Sequence, residues 1–327
     1  MHSVIHLRSE AFSNKCTTYY KIPPIRRAFN KNTRTKRGKK KKSATNDTSK
    51  LEIYYNNVNG LLTKQDSLCD ILEMQKPDVL AMCETKLHAN STFDIAGYKV
   101  LKSNLKAGKE GILVAAKKGT FNSMEMVFEA ESKQIATVEI GYPQENLRVT
   151  VVHGPQEKAG DDEKEEFFVD LHAEVQRSLD SNCKTMVLGD FNARLEHHEG
   201  KILTCKGNGE RLKEMVEKYE LKVMNIQPDT DGRWTRIQKK GDQVCKSVLD
   251  YIIMDGKLAE RAGKTTVDED KLFTPYRTKK CGTERSIVFS DHCAMMTSLE
   301  IVKGTTRKRQ RKDIIKCWKL TEEGMEK

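Results

Sequence analysis

Five short segments of the chain place polar or acidic side chains directly after an apolar run. They are NNVNG at 56–60, CETK at 83–86, GDFNA at 189–193, SVLDY at 247–251 and SDH at 290–292. A strand that ends in an acidic residue carries that side chain to the rim of its sheet, where open α/β sheets build their binding sites. We therefore expect several of these segments to converge at one edge of the fold.

Each segment taken alone also has a purely structural interpretation. Asp190 can form an Asx turn after its strand, and the pair Ser290-Asp291 can cap a turn. Glu84 can simply pair with Lys86 on the surface. Asp250 is different, because an acid inside the apolar run LDYII must be buried or functional, and a buried carboxylate needs a partner.

The residue types in these segments match the chemistry of phosphoryl transfer. His292 is the natural partner for the Asp250 carboxylate. Carboxylates bind Mg²⁺, amides fix phosphate oxygens, and an imidazole oriented by an aspartate can donate to the reacting group. The five segments offer no serine or cysteine nucleophile with a paired base. The inventory therefore favours a site for a hard cation and a phosphate group.

The elements that must carry these segments alternate between strands and amphipathic helices. Apolar patterning predicts a βαβ unit from a strand over 51–58, a helix over 66–75 and a strand over 79–83. It predicts two more helices, one beginning at 161 and one over 210–219. Further strands are predicted over 111–117, 134–140, 147–153, 185–188, 221–226, 249–254, 286–289 and 293–302. The span 51–302 is therefore predicted to be one α/β domain with its polar residues at strand ends.

Composition sets the broad class of the protein. Of 327 residues, 37% are hydrophobic and 32% are charged, which is enough apolar material for a core and excludes a wholly disordered or fibrous chain. The longest apolar stretches, such as 112–116, are far shorter than the ~20 residues of a membrane span, which argues against an integral membrane protein. Nine cysteines without a C-x-x-C pair indicate reduced, intracellular thiols rather than a disulfide framework or a zinc site.

The net charge of +11 is distributed unevenly along the chain. Residues 1–50 carry +12 and residues 303–327 carry +5, which leaves −6 on the span between them. Within 31–42, eight of twelve residues are basic and none is an apolar anchor, so residues 1–50 are predicted to be a disordered basic arm. Such an arm serves nuclear import or phosphate contact, or is only a solvated tail. We expect a polyanion as the partner of this arm, the nucleus as the location, and 303–327 as a basic tail or linker.

The same five segments carry a resemblance to a known family. As NVNGL, CETKL, GDFNA, SVLDYI and SDH, in this order, they resemble the endonuclease/exonuclease/phosphatase superfamily over about 51–302. Within it, the chain is most similar to the apurinic-type endonuclease domain of non-LTR retrotransposons. The resemblance implies a DNase I-like four-layer α/β sandwich, in which helices flank two packed mixed β-sheets. It also implies a DNA endonuclease that nicks one strand by Mg²⁺-dependent phosphodiester hydrolysis, with Mn²⁺ as an alternative ion.

The resemblance further implies how the site residues divide the work of hydrolysis. Asn57 would order the site and hold phosphate, and Asp190 would orient or deprotonate the attacking water. Asn192 would donate to the developing phosphorane oxygens. His292, held by Asp250, would contact the scissile phosphate.

The resemblance also assigns a metal side to the site and shows two departures from the family. Glu84 would be the principal metal ligand, with Asp291 completing an acidic wall and Asn59 nearby. Asn59 stands where many family members have aspartate, although retrotransposon relatives often show asparagine there. His153, in VVHGP, stands where the family usually has a tyrosine whose hydroxyl touches phosphate. A histidine there can donate one hydrogen bond and, as a cation, favours phosphate, so His153 is counted among the catalytic residues.

Two other functions fit the same sequence. One is a catalytically inactive relative that binds nucleic acid, and the other is a phosphatase of the same fold that acts on lipid substrates. The chain itself is interpreted as coming from a retrotransposon or a captured copy of one, and the sequence identifies no protein partner. Two lesser positions remain: His197 and His198 are predicted to lie in a solvated loop, whereas Trp234 and Arg236 lie on the DNA-facing edge or merely fill a loop.

Overall fold

The computed structural model describes residues 48–104, 110–281 and 284–302. Residues 1–47 and 303–327, which hold most of the predicted arm and all of the predicted tail, lie outside this range. The described part forms eighteen strands. In chain order they are β1 (Thr48–Asn57), β2 (Val79–Cys83), β3 (Tyr98–Ser103), β4 (Ile112–Lys117), β5 (Ser123–Glu129), β6 (Ile135–Gly141), β7 (Asn146–His153), β8 (Lys184–Asp190), β9 (His197–His198), β10 (Lys201–Ile202), β11 (Lys222–Val223), β12 (Arg236–Lys240), β13 (Gln243–Ser247), β14 (Asp250–Met254), β15 (Thr266–Val267), β16 (Tyr276–Cys281), β17 (Glu284–Phe289) and β18 (Met295–Val302).

Four α-helices and two short 3-10 helices complete the elements of the described residues. The α-helices are α1 (Gln65–Gln75), α2 (Asp161–Asp180), α3 (Asn208–Lys218) and α4 (Gly256–Ala259), and the 3-10 helices cover Leu62–Lys64 and Met224–Ile226. Helix α2 begins with three acids and has Arg177 in its last turn, which suits the helix dipole. Within the described ranges, none of the helices is both long and apolar enough to cross a membrane.

Two six-stranded mixed sheets dominate the fold. The first has the order β15-β18-β1-β2-β4-β3, and the second has the order β11-β14-β8-β7-β6-β5. In the first sheet β1 is parallel to β2 and antiparallel to β18, and in the second β7 is parallel to β8 and antiparallel to β6. The strand pairs β9–β10, β12–β13 and β16–β17 form separate two-stranded ribbons.

Alternation along the central strands produces four packed layers. On β1, Ile53 and Tyr55 face the core between the two sheets, whereas Tyr54 belongs to the cluster that packs α1 on the first sheet. On β8, Leu188 faces the same central core, whereas Val187 joins the cluster under α2 and α3. A central strand that is buried on both faces must be apolar on both faces. Each sheet therefore packs against the other sheet on one face and against helices on the opposite face. The predicted four-layer α/β sandwich is confirmed.

The predicted strands and helices agree with the observed ones to within three residues at their ends, with one exception. The segment 221–226 is a strand only at Lys222–Val223, so the prediction of a full strand there is wrong. The cause is Asn225, whose side chain donates to the Asp250 carbonyl at 3.0 Å and accepts from the Ile252 N–H at 3.0 Å. A side chain thereby replaces the backbone pairing that a longer strand would need. Patterning also does not predict β3, β5, β12, β13 and β16, in which charged residues interrupt the apolar runs.

Strand direction brings the polar segments to one edge of the two sheets. Because β1 and β2 are parallel, Asn57 lies beside the residue that precedes Glu84. Because β7 and β8 are parallel, His153 lies opposite Asp190. Strand β14 runs the other way but begins at Asp250, which is also opposite Asp190.

Candidate active site

Asn57 connects the two sheets at the centre of this edge. Its buried side-chain Nδ2 donates to Glu84 Oε1 at 2.9 Å and to Asp190 Oδ2 at 3.0 Å. Its Oδ1 accepts from the backbone N–H of Asn59 at 3.2 Å. One amide therefore holds a carboxylate from each sheet in a fixed separation, using all of its hydrogen-bonding groups within the protein.

Donors and positive groups surround the Glu84 carboxylate. His153 Nε2 lies 3.4 Å from Oε1, and Lys86 Nζ lies 3.2 Å from Oε2. Burial alone would raise the pKa of Glu84, but the hydrogen bonds from His153 and Asn57 and the charge of Lys86 together hold it well below its usual range. Glu84 also has a φ of 49°, a left-handed conformation that is sparsely populated by residues other than glycine. Glu84 is therefore a permanent anion held in a defined orientation.

Lys86 joins Glu84 to Asn59. Its Nζ donates to Asn59 Oδ1 at 2.6 Å while it forms the salt bridge with Glu84 that the sequence allowed. A cationic group thus lies between two side-chain oxygens, one from each of the NVNG and CETK segments. Both oxygens are of the type that hard cations prefer.

His153 ends β7 with its imidazole facing the acidic residues. Burial lowers the pKa of His153, but the hydrogen bond with Glu84 and the charges of Asp190 and Glu84 outweigh this and raise it above its ordinary value. The next residue, Gly154, donates its N–H to the Asp190 carbonyl at 2.7 Å. A Cβ at Gly154 would lie 2.7 Å from the Phe191 carbonyl oxygen, so this close approach between β7 and the GDFNA segment requires glycine.

His292 lies between two buried aspartates. Its Nδ1 is 2.8 Å from Asp250 Oδ2, and its Nε2 is 3.6 Å from Asp190 Oδ2. Burial lowers the pKa of His292, but the charges of Asp250 and Asp190 raise it to about 9, which makes the imidazole a cation at neutral pH. Burial raises the pKa of Asp190 above its usual range, against the opposing charge of His292. The site therefore contains a basic carboxylate beside a positively charged donor.

These side chains form two groups in which a metal ion could be held, counted over the described residues. One contains Glu84, His153 and Asp190, and the other contains Asp190, Asp250 and His292. Within each group the potential ligand atoms lie within 4.8 Å of one another. Asp190 belongs to both groups and therefore connects Glu84 and His153 to the Asp250–His292 pair.

The position of this site in the sequence agrees with a comparison against protein families. The model of the endonuclease/exonuclease/phosphatase family matches residues 57–292, a span that begins at Asn57 and ends at His292. The chain belongs to this family. The superfamily resemblance of the five motifs is thereby confirmed, and the fold is that of a nuclease or phosphatase type of hydrolase.

Solved structures of nucleases share this fold. The 3′-5′ exonuclease NExo from Neisseria meningitidis superposes with a TM-score of 0.60 at 18% identity, over 76% of this chain and 99% of that one. The endonuclease domain of TRAS1, a telomere-specific non-LTR retrotransposon, gives 0.56 at 14% identity, over 77% and 100%. The AP endonuclease LMAP from Leishmania major gives 0.60 at 15% identity, over 77% and 88%. At these identities the likeness is one of fold.

Two further predicted residues of the family motifs lie at the rim, with their side chains engaged by the protein. The N–H of Asn192 donates to Asp190 Oδ1 at 2.9 Å, which is the Asx turn that the sequence allowed. Its Nδ2 donates to the Gly154 carbonyl at 2.9 Å. The carboxylate of Asp291 accepts from Arg236 Nε at 2.8 Å. Arg236 therefore lies at the edge of the site and does not merely fill a loop.

The remaining lesser positions lie away from these contacts. His197 and His198 form the two-residue strand β9, and the side chain of His198 is 79% exposed. Neither belongs to a group of acids and histidines that could hold a metal among the described residues. In the turn before β12, the Arg233 guanidinium lies over the Trp234 ring, 4.6 Å from the ring centroid.

Three side chains that sequence patterning missed support the His292–Asp250 pair. Tyr55 donates its hydroxyl to Asp250 Oδ1 at 2.9 Å, and Thr235 Oγ1 accepts from the Asp250 N–H at 3.1 Å. The ammonium of Lys271 donates to the His292 carbonyl at 2.6 Å. Of the three, only Tyr55 could have been identified from the sequence, because a tyrosine inside an apolar strand needs a hydrogen-bond partner for its hydroxyl.

Tyr55→Phe is expected to lower the free energy of unfolding by about 1–3 kcal/mol, because it removes a donor from a buried carboxylate. Tyr142→Phe is the matched control, since the Tyr142 hydroxyl is buried but has no hydrogen-bond partner in the described part of the chain. Urea unfolding of both variants measures the difference. Equal losses from the two substitutions would show that the Tyr55 hydroxyl does not support Asp250.

Proposed function

We propose that the protein is a Mg²⁺-dependent DNA endonuclease that hydrolyses a phosphodiester and nicks one strand of a duplex. One observation carries the proposal: Asn57 holds the carboxylates of Glu84 and Asp190 together. The cationic His292 lies on the far side of Asp190. Phosphodiester hydrolysis needs these groups, because the water must be oriented and the charge on the phosphate must be stabilised.

The donor set fits a hard divalent cation. Glu84 and Asn59 offer a carboxylate and an amide oxygen that already share one cationic group, the Lys86 ammonium. Asp291 is proposed as a further ligand, although its carboxylate is bonded to Arg236. Mg²⁺, or Mn²⁺ in its place, would polarise the scissile phosphate and stabilise the negative charge that develops on it.

The other side chains are proposed to act on the water and the phosphate. Asp190, whose pKa is raised by burial, would orient the attacking water and accept its proton. His292, held by Asp250, would donate to a phosphate oxygen. Asn57 and Asn192 would hold the phosphate through their side-chain N–H groups. Each amide would have to exchange a protein acceptor for the substrate, one of the two carboxylates for Asn57 and the Gly154 carbonyl for Asn192.

His153 is proposed to replace the family's tyrosine as a donor on the phosphate side. Its Nε2 faces Glu84, and Asp190 lies in the same group of side chains. Two neighbouring carboxylates favour a protonated imidazole, which can donate where a tyrosine hydroxyl would.

A plasmid assay tests the proposed activity directly. With Mg²⁺, supercoiled plasmid is expected to become open-circular, and chelation of the metal should stop the reaction. Plain and abasic duplexes, assayed in parallel, would show which DNA is cut. Release of phosphate from a lipid substrate without nicking would instead favour the phosphatase. DNA binding without either reaction would favour the inactive relative.

The origin and location of the protein are part of the same proposal. The order of the five motifs supports an origin in a retrotransposon or in a captured copy of one. The basic segments 1–50 and 303–327 support phosphate contact and nuclear import, although all of the second and most of the first lie outside the described residues.

A further inference from the structure

The β16–β17 ribbon, formed by Tyr276–Cys281 and Glu284–Phe289, has no part in the chemistry proposed above. Its second strand ends one residue before Ser290, in the SDH segment. Ser290 Oγ donates to the Asn57 carbonyl at 2.7 Å, which fixes the end of the ribbon to the centre of the site. The ribbon is therefore joined to the catalytic residues without an intervening loop.

The end of the ribbon that lies next to the SDH segment is also hydrogen-bonded to α1. Ser67 Oγ donates to the Tyr276 carbonyl at 2.7 Å and accepts from the Tyr276 N–H at 2.9 Å. The rings of Tyr276 and Phe289 meet edge to face, with centroids 5.5 Å apart. These contacts give the ribbon a defined position relative to the active site.

The first strand of the ribbon carries three exposed cations, Arg277, Lys279 and Lys280. Among the side chains that the structure describes, no carboxylate lies within salt-bridge distance of any of them. The Lys64 ammonium, at the end of the 3-10 helix Leu62–Lys64, adds a fourth cation and donates to the Asn59 carbonyl at 2.7 Å. These cations form a positively charged surface beside the site, and such a surface attracts a polyanion.

The shape of the ribbon suits a DNA duplex. Each strand has six residues and extends about 20 Å, a length over which a duplex carries roughly twelve phosphates. A two-stranded ribbon fits into the major groove of B-DNA. Ile287, which is 58% exposed, adds an apolar side chain that can contact base edges.

We propose that the β16–β17 ribbon binds double-stranded DNA beside the scissile phosphate, with Arg277, Lys279 and Lys280 on backbone phosphates. The inference rests on the proposed function and deepens it by assigning a substrate contact separate from the metal site. Because Phe289 is followed directly by the SDH segment, the ribbon would fix the position of bound DNA relative to His292.

The test replaces Arg277, Lys279 and Lys280 together by alanine in the full chain. Binding to a fluorescent duplex is measured by anisotropy over a range of salt concentrations, with a chelator present so that no cleavage occurs. The affinity at low salt is expected to fall at least about tenfold. The slope of log K against log salt should become shallower by about 2–3, because each phosphate contact contributes roughly 0.9.

A second triple variant, with Lys184, Lys222 and Lys257 replaced by alanine, removes the same charge from the end of the second sheet remote from Asp190. It should retain the original slope. A third variant, R277K/K279R/K280R, keeps the ribbon charge and should bind like the unmodified chain. Equal slopes for the first two variants would overturn the inference. Failure of the unmodified chain to nick DNA would instead overturn the proposed function, because the binding measurement does not depend on cleavage.

Discussion

Asp190→Asn and His292→Ala are each expected to reduce the rate of DNA nicking by about 10²–10⁴, the contribution of a positioned proton-transfer or charge-stabilising group. Asp190 is buried at the end of β8 and is held by Asn57 at 3.0 Å, so the asparagine variant keeps its shape but loses its basicity. His292→Ala removes the cation that lies between Asp190 and Asp250. Rates are measured as single-turnover nicking of supercoiled plasmid at saturating enzyme.

The double variant should be scarcely slower than the slower single variant, because groups that act as one unit give non-additive losses. Losses that multiply would show that one of the two residues has a separate, structural role. His198→Ala is the matched histidine control, since that side chain is 79% exposed in a short strand outside the site, and it should nick at the normal rate.

Folding must be checked for His292→Ala, because the substitution leaves two buried carboxylates without their cation. Circular dichroism and thermal unfolding of each variant provide this check. Asp190→Asn removes one of the two carboxylates, so the double variant should recover part of any stability that His292→Ala loses. The same double variant would still be inactive, which separates the effect on catalysis from the effect on stability.

Glu84→Gln is expected to reduce nicking at limiting Mg²⁺ by at least about 100-fold, since a metal acting on the phosphate supplies several kcal/mol of charge stabilisation. The glutamine keeps the oxygen that accepts from Asn57 but loses the negative charge that His153 and Lys86 face. High Mg²⁺ should restore part of the activity. The assay is nicking over a range of Mg²⁺ concentrations.

DNA binding should survive Glu84→Gln, because phosphate contacts by basic residues are separate from the proposed metal site. Anisotropy with a chelator present measures this directly. Glu260→Gln is the control, since Glu260 is exposed and follows α4, beyond the end of β14 that is remote from Asp190. Normal nicking by Glu84→Gln at limiting Mg²⁺ would remove Glu84 from the proposed metal site.

Much of the fold followed from local patterns of apolar residues. Strand β2 is buried along its whole length and β8 is buried from its second residue onward, and the spacing of Leu68, Ile71 and Leu72 matches the buried face of α1. Such patterns report the surroundings of one segment at a time. They fail where a side chain replaces backbone pairing, as Asn225 does beside β14, and where charged strands form exposed ribbons.

By itself the sequence determined which polar residues lie at the ends of strands, because a polar residue next to an apolar run is a local feature. Only the tertiary structure decided which of them meet. Tyr55 and Asp250 lie 195 residues apart, yet they share a hydrogen bond because β1 and β14 face each other across the central core. Arg236 and Asp291 are brought together by a different route, the isolated antiparallel bridge between Arg236 and His292. The periodicity of apolar residues along one segment does not specify which strand lies next to it or in which register. Contacts between the sheets therefore form only when the layers pack together.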